Sequence, residues 1–460
     1  MTPREALADV WARVGGEAAA LGQVTITGDD PVLPGVFRVG TAAAATIAAA
    51  GLAATELWRL RTGRRQPVTL DVRAAAAAFR SERYLRVDDR PAHEGWHPVS
   101  GFFQCGDGRW IQLHCNFPHH RQRALDVIGC AESREAVVKA LGDWKAATLE
   151  DAIVARGGCA GMVRAPEEWQ AHPQGRALAA LPLLEITRLG EAPPRPAGAG
   201  ERPLSGVRVV DLTRVIAGPV CGRTLAEHGA DVLLVTGPHL PNMEPLVIDN
   251  GRGKRAAHLD LRQAADVERL RALVSQADVF VQSYRPDTLA GRGLTLEALA
   301  ALRPGLVYVT LNAYGHTGPW QARRGFDSLV QSVSGIAWES GRAFGLAGPR
   351  HLPCQALDHA TGYLAAVGAM RALARRAVEG GSWMVRLSLA QTGRWIDGLG
   401  RVDGTRLADP TVDDVADLMA TCESPFGRLR HVAPAPGLAQ TPGRWERPPT
   451  RLGSDPPVWV

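Results

Sequence analysis

Four short apolar runs, GVRVVDL (206–212), DVLLV (231–235), DVFVQSY (278–284) and GLVYVTLNAYG (305–315), recur through the second half of the chain. Segments of helical character separate them: GPVCGRTLAEHGA, RQAADVERLRALVSQA and PDTLAGRGLTLEALAALRP. The runs are continuously apolar rather than alternating, as strands buried on both faces must be. Strands alternating with helices at this spacing predict βαβ units and a parallel sheet. Residues 205–400 therefore read as a doubly wound, Rossmann-like α/β domain. Ligands of such a sheet bind at the carboxyl ends of its strands.

The Pro/Gly-rich stretch GEAPPRPAGAGERP reads as a linker over 190–204. Upstream, residues 1–35 read as an N-terminal helix and a Gly/Pro break. Residues 36–189 read as a helix–strand unit followed by a smaller α+β domain. Within it SGFFQCGDGRWIQLHC predicts a hairpin turning at Gly106–Asp107–Gly108. Residues 401–460 read as a tail that returns to the large domain.

Part of the helix–strand unit is repeated. Shifting the chain by 317 residues lays Ala48, Ala49 and Gly51 on Ala365, Ala366 and Gly368, Gly63 on Gly380, and Val68 and Leu70 on Val385 and Leu387. A helix, a Gly turn and a strand in one register mark a duplicated unit. The helix openings differ. LPCQALDHATGYLAA carries Asp358, and its counterpart in VFRVGTAAAATIAAA is Thr41. An Asp that opens a helix is either a cap or a reactive carboxylate, and the residues alone leave both open. His359 beside it reads as helix surface or core.

Composition excludes several classes. Lys and Arg number 52 against 47 Asp and Glu, a net charge of +5. The cations are scattered, so no nucleic-acid arm is expected. The seven Cys lie far apart, with no C-x-x-C pair and no zinc spacing, so no metal is expected and reduced thiols point to a cytoplasmic protein. His119 and His120 in NFPHHRQR are expected to be surface or structural. The N-terminal stretch lacks a signal-peptide core, and no uncharged apolar run reaches the roughly 18 residues of a membrane span. The Ala-rich stretch near 42–58 comes closest and reads as a buried helix. No G-x-G-x-x-G, Walker loop or G-x-S-x-G elbow is present.

Taken in order, LSGVRVVDLTRVIAGPVCGRTLAEHGADVLLV, GKRAAHLDLR, YRPDTLAGRGL, VYVTLNAYGHTGPWQARRGFDSLVQSVSG and ALDHATGYLAAVGAMRAL resemble the large domain of the family III CoA-transferases, the group that includes formyl-CoA and carnitine CoA-transferases. GFFQCGDGRWIQLHCNF and EDAIVARGGCAGMVRAPEEWQAHPQ are similar to that family's small domain, and SPFGRLRHVAPAPGLAQTPGRWERPPTRLG to its C-terminal segment. The resemblance covers most of residues 36–455 in permuted order, with the duplicated unit at the seam.

The resemblance implies the fold of that family, coenzyme A as an acyl-CoA co-substrate, a small carboxylic acid as second substrate, and an interlocked homodimer. It assigns the nucleophile to Asp358. Moving CoA between acids requires a thioester to be broken and remade, and one carboxylate suffices because each intermediate is an acyl derivative of it. Backbone N–H groups at the helix opening are expected to stabilise that carboxylate and the developing oxyanions. For CoA the resemblance points to Ile216, Ala217, Arg262, Tyr284, Arg285, Arg324, Phe326 and Asp327. Lys254 and Arg255 are weaker candidates. The family's Asn before the aromatic is Ser283 here, its Glu after the second strand is Thr236, and its Arg beyond RPxTL stands one place late as Arg292. The related racemases carry G-H-D where this chain has Gly325–Phe326–Asp327, which removes one acid–base partner and argues against racemisation. A racemase or lyase on the same scaffold and a silent CoA-binding paralogue are the alternatives.

Overall fold

A computed structural model of the chain describes residues 1–92 and 95–460, and every side chain among them except that of Asp287. The runs that open the sequence argument form a seven-stranded sheet. In chain order its strands are β1 (Leu184–Gly190), β2 (Arg208–Leu212), β3 (Asp231–Thr236), β4 (Lys254–His258), β5 (Val279–Gln282), β6 (Val307–Asn312) and β7 (Ser382–Ser388). Their spatial order is β4-β3-β2-β5-β6-β7-β1. All neighbours are parallel except β7 and β1, which pair antiparallel at one edge.

The continuous apolar patterning is explained by burial on both faces. Val209, Val279, Val281, Val307 and Val309 point into one core. Val210, Leu233, Phe280 and Tyr308 point into another, against Leu270, Leu273 and Leu299 of the crossover helices. The strand order reverses between β2 and β5, so their carboxyl ends open a crevice. The loop after β2 turns sharply into the helix Ala217–Glu227. Val215 in that loop has φ +75°, a left-handed conformation that costs a β-branched residue free energy and commonly marks a functional turn.

The duplicated unit is visible in space. The helices Val39–Thr62 and Ala356–Glu379 have 24 residues each and pack on each other. Both end at a glycine of positive φ, Gly63 and Gly380. Added Cβ atoms at Gly51 and Gly368 would meet Val68 Cγ1 at 3.0 Å and Val385 Cγ1 at 2.4 Å, so one helix–strand contact occurs twice. The register of 317 holds past the strand as well: Asp71 caps Val72–Ala78 as Ser388 caps Leu389–Gly398. The strands part company. Val68–Asp71 belongs to a three-stranded sheet with Val24–Thr27 and Gly437–Leu438, whereas β7 belongs to the large sheet. The 39–62 helix is long and apolar enough by composition to cross a membrane, and 94% of its apolar window is buried inside the fold.

The smaller α+β region is a three-stranded antiparallel sheet, Gly101–Gln104, Trp110–Leu113 and Ala160–Met162. It has its own core around Phe103, Ile111, Leu125 and Leu149. The C-terminal tail divides. The hairpin of Met419–Ser424 and Gly427–Val432 pairs with Arg86–Val87, on the N-terminal half. Further on, Asp455 bonds the backbone of Ala256 in β4. The tail therefore bridges both halves.

Gly362 fixes the approach of the two helices that matter most below. A Cβ there would lie 2.5 Å from the carbonyl oxygen of Ala217 and 2.6 Å from Val220 Cβ. Gly362→Val must push the Ala217 helix away, and overpacking of this kind costs about 1–3 kcal/mol. A lower denaturant midpoint with an unchanged m-value is the expected result.

Candidate active site

Asp358 is the third residue of its helix, which begins at Ala356 after Gln355. It is therefore not the cap. The capping carboxylate comes from Asp327, first residue of the helix Asp327–Val333. Asp327 Oδ2 accepts the backbone N–H of Leu357 at 2.8 Å and of Asp358 at 3.0 Å, while Gln331 Nε2 donates to its other oxygen. The N–H of His359 goes to the carbonyl of Gln355 at 3.0 Å. Three of the amides at the helix opening, those of Leu357, Asp358 and His359, are thus already engaged. The first copy has the same device. Asp30 accepts from Gly40 N at 3.1 Å and Thr41 N at 2.6 Å, and Arg38 precedes that helix with φ −78°, ψ 66° against −76°, 62° at Gln355.

Capping places two carboxylates side by side. Asp358 is 7% exposed. Burial, then the charges of Asp327 and Glu82, raise its pKa well above the ordinary value. Burial also pushes Asp327 up to about 6, against the pull of the amides that it caps. Glu82, from the short helix Ser81–Tyr84, accepts from His359 Nε2 at 3.0 Å. Burial pushes Glu82 up, but the hydrogen bond and charge of that pairing bring it below the ordinary value.

Two cavities meet at Asp358. The larger, about 450 Å³, lies in the crevice between β2 and β5. Of the residues expected to contact CoA, it brings together Ile216 and Ala217 after β2, Tyr284 and Arg285 after β5, and Arg324 and Phe326. Two of the expected residues lie outside the larger cavity. Asp327 lies on the smaller cavity, its carboxylate held by amides. Arg262 lines an adjoining cavity of about 110 Å³, which shares Tyr284 and Arg292 with the large one, and its guanidinium is paired with Asp260 at 2.6 Å. Lys254 is buried against Asp211 at 2.8 Å.

The larger cavity also holds residues that the sequence argument passed over. Arg214 and Arg323 line it. Burial lowers the pKa of Arg214 and Arg324, and the charge of Arg285 adds to the effect on Arg324. Clustered guanidinium groups of this kind favour a polyanion. His119 and His120, expected to be surface or structural, line the cavity as well. They sit in the first turn of the helix Pro118–Ile128, which faces the crevice. Burial and the neighbouring imidazole bring His120 down to about 3, so it is neutral near pH 7. Pro118 was the signal for that helix start, and the position of Arg214 just past β2 was the signal for Arg214.

The smaller cavity, about 310 Å³, is walled by the N-terminal half: Glu82, Arg83, Trp96, His114 and Asn116. Phe326 lines both cavities and stacks on the His114 ring at 3.8 Å. Nothing in the motifs of the second half pointed to this wall.

The description of CoA-transferase family III matches residues 11–186 and 204–398. The interruption falls on the Pro/Gly linker. An acyl-CoA transferase of Gibberella moniliformis is 30% identical over 416 residues, 81% of this chain and 73% of that protein. A succinate–glutarate CoA-transferase of Agrobacterium fabrum is 38% identical over 152 residues, 29% of this chain and 38% of its own length. Among solved structures, a CaiB/BaiF family protein from Brucella suis is 29% identical, with TM-score 0.37, covering 44% of this chain and 56% of that one.

The raised pKa of Asp358 makes a prediction about stability. The folded state keeps this proton to a higher pH than the unfolded chain does, so stability falls as pH rises from the ordinary value of 3.8 through the folded one. Asp358→Asn removes that cost. Its melting temperature should exceed that of the wild type by roughly 2 °C at about pH 8, and the gain should vanish towards pH 4. A destabilised variant at the higher pH contradicts the electrostatic reading.

Proposed function

The chain belongs to CoA-transferase family III, and from that premise we propose that it moves CoA from an acyl-CoA to a carboxylic acid through covalent intermediates on Asp358. The observation that carries this reading is the position of Asp358 where an arginine-lined cavity meets a second cavity. A nucleophile at such a junction can hold CoA on one side while acids exchange on the other.

In the first step an Asp358 carboxylate oxygen attacks the thioester carbon, the C–S bond breaks and CoA leaves as a thiolate. The product is a mixed anhydride. The thiolate then attacks the Asp358 carbonyl carbon, the C–O bond to the donor acid breaks, and that acid departs as a carboxylate. The acceptor carboxylate next attacks the aspartyl-CoA thioester and displaces the thiolate. The thiolate attacks the acceptor's carbonyl in the new anhydride, which returns Asp358 as a carboxylate. Each step trades one acyl bond for another, and no net proton is consumed.

The surroundings suit this chemistry. Burial of Asp358 limits access of water to anhydride and thioester. The charges of Asp327 and Glu82 destabilise its ionised form, and a more basic carboxylate is a better nucleophile. Asp327 acts through the helix as a positioning residue. On the CoA side, Arg285 and Arg324 take phosphate charge, the Tyr284 ring takes the base, and the backbone at Ile216 and Ala217 lies along the crevice floor. On the family's pattern we propose a homodimer, with both walls of each cavity supplied by one chain.

Initial rates with donor and acceptor varied together should give parallel double-reciprocal lines. Labelled acid should exchange into its own CoA thioester with no second acid present. Asp358→Ala should lose both activities by roughly a thousandfold or more. Intersecting lines, or exchange surviving in Asp358→Ala, overturn the reading. Sedimentation at the dimer mass is expected, and a monomer at working concentration contradicts the proposed assembly.

A further inference from the structure

We propose that the smaller cavity is built for a dicarboxylic acid, its far carboxylate held by Arg83 while the near one reacts at Asp358. This rests on the covalent reading above and adds to it the class of acid.

The charges that line the cavity carry the argument. Glu82, Asp327 and Asp358 all lie in its wall. A substrate acid arrives as an anion, so its approach is opposed unless a cation meets it. Among the described residues lining this cavity, Arg83 is the only Lys or Arg. His114 does not substitute for it, because burial takes that imidazole down to about 4.

Among the described residues the Arg83 side chain is engaged only by a long ion pair with Glu82. Its guanidinium makes no hydrogen bond among the described residues. The nearest carboxylate oxygen, Glu82 Oε1, lies 3.9 Å from its Nε, too far for a hydrogen bond, and the other Glu82 oxygen is paired with His359. A planar fork of donors left free beside an acid pocket is suited to bidentate capture of a carboxylate.

The two groups that would hold the acid differ in exposure. The Arg83 side chain is 37% exposed, whereas Asp358 is 7% exposed. The cation is thus the more accessible of the two groups and the nucleophile the more buried, and both line the one cavity. The charges that shift Asp358 are those of Asp327 and Glu82. Trp96, Ile216, Met243 and Leu246 line the same cavity and offer apolar walls for a methylene chain. A volume of about 310 Å³ is at the small end of ligand pockets. A monocarboxylic acid that reaches Asp358 leaves Arg83 unpaired, whereas a dicarboxylic acid satisfies both ends.

The test compares acids of equal length as acceptors from one acyl-CoA donor: glutarate against pentanoate, and succinate against butyrate. The wild type should favour the dicarboxylate in kcat/KM by about tenfold or more. In Arg83→Gln that ratio should collapse, chiefly through KM for the dicarboxylate, and Arg83→Lys should recover part of it. Equal use of both acids by the wild type, or a ratio unchanged in Arg83→Gln, overturns the proposal. Calorimetric titration of glutarate into Asp358→Asn protein reads the same contact without chemistry. Adding Arg83→Gln should weaken that binding about tenfold, and equal binding overturns the proposal. If no acid accepts CoA but glutarate binding still depends on Arg83, the transferase reading fails and the assignment of Arg83 stands.

Discussion

The site depends on one carboxylate that serves two ends. Asp327 accepts the Leu357 and Asp358 amides, and so fixes the opening of a 24-residue helix. The same bonds bring its charge beside the Asp358 carboxyl and raise the pKa of that group. A helix N-terminus ordinarily stabilises an anion. Here the donors that would do so are spent on a neighbour, and the neighbour's charge works in the opposite direction. The result is a buried carboxylate held in place but poorly stabilised, which is the condition for a reactive one.

The duplication separates architecture from chemistry. Asp30 caps the first helix as Asp327 caps the second, the two openings share backbone angles, and Gly51 and Gly368 meet equivalent valines. Only the second copy carries an acid at the third helical position. Capping therefore belongs to the helix opening as such, and Asp358 is what the second copy adds. Gly362, one turn further on, lets the Ala217 helix reach that opening, so the crevice of the large sheet and the Asp358 carboxylate are joined at a point where no side chain fits.

The large sheet was legible because strands buried on both faces leave continuous apolar runs, and because Gly and Pro punctuate the crossovers. The repeat was legible for a similar reason, since glycine turns and strand valines held one register. What the sequence hid was the wall facing Asp358. Glu82, Arg83, Trp96, His114 and Asn116 come from the other half of the chain, and no local pattern records which loop will face which helix. His119 and His120, read as surface or structural, are exposed and buried respectively, and the first turn of their helix nonetheless presents both to one crevice. Asp327 was expected among the CoA contacts on family resemblance, and its carboxylate proves to be engaged by backbone amides instead. That engagement depends on a contact between residues about thirty positions apart, which neither spacing nor composition reports.

The central claim is that Asp358 becomes acylated and then carries CoA. Its most direct test is intact-protein mass spectrometry after incubation with a panel of acyl-CoAs, followed by peptide mapping. The account predicts an adduct of CoA less one water, confined to the peptide that contains Asp358 and absent in Asp358→Asn. An adduct that maps elsewhere, or unmodified protein under conditions where transfer proceeds, would contradict it.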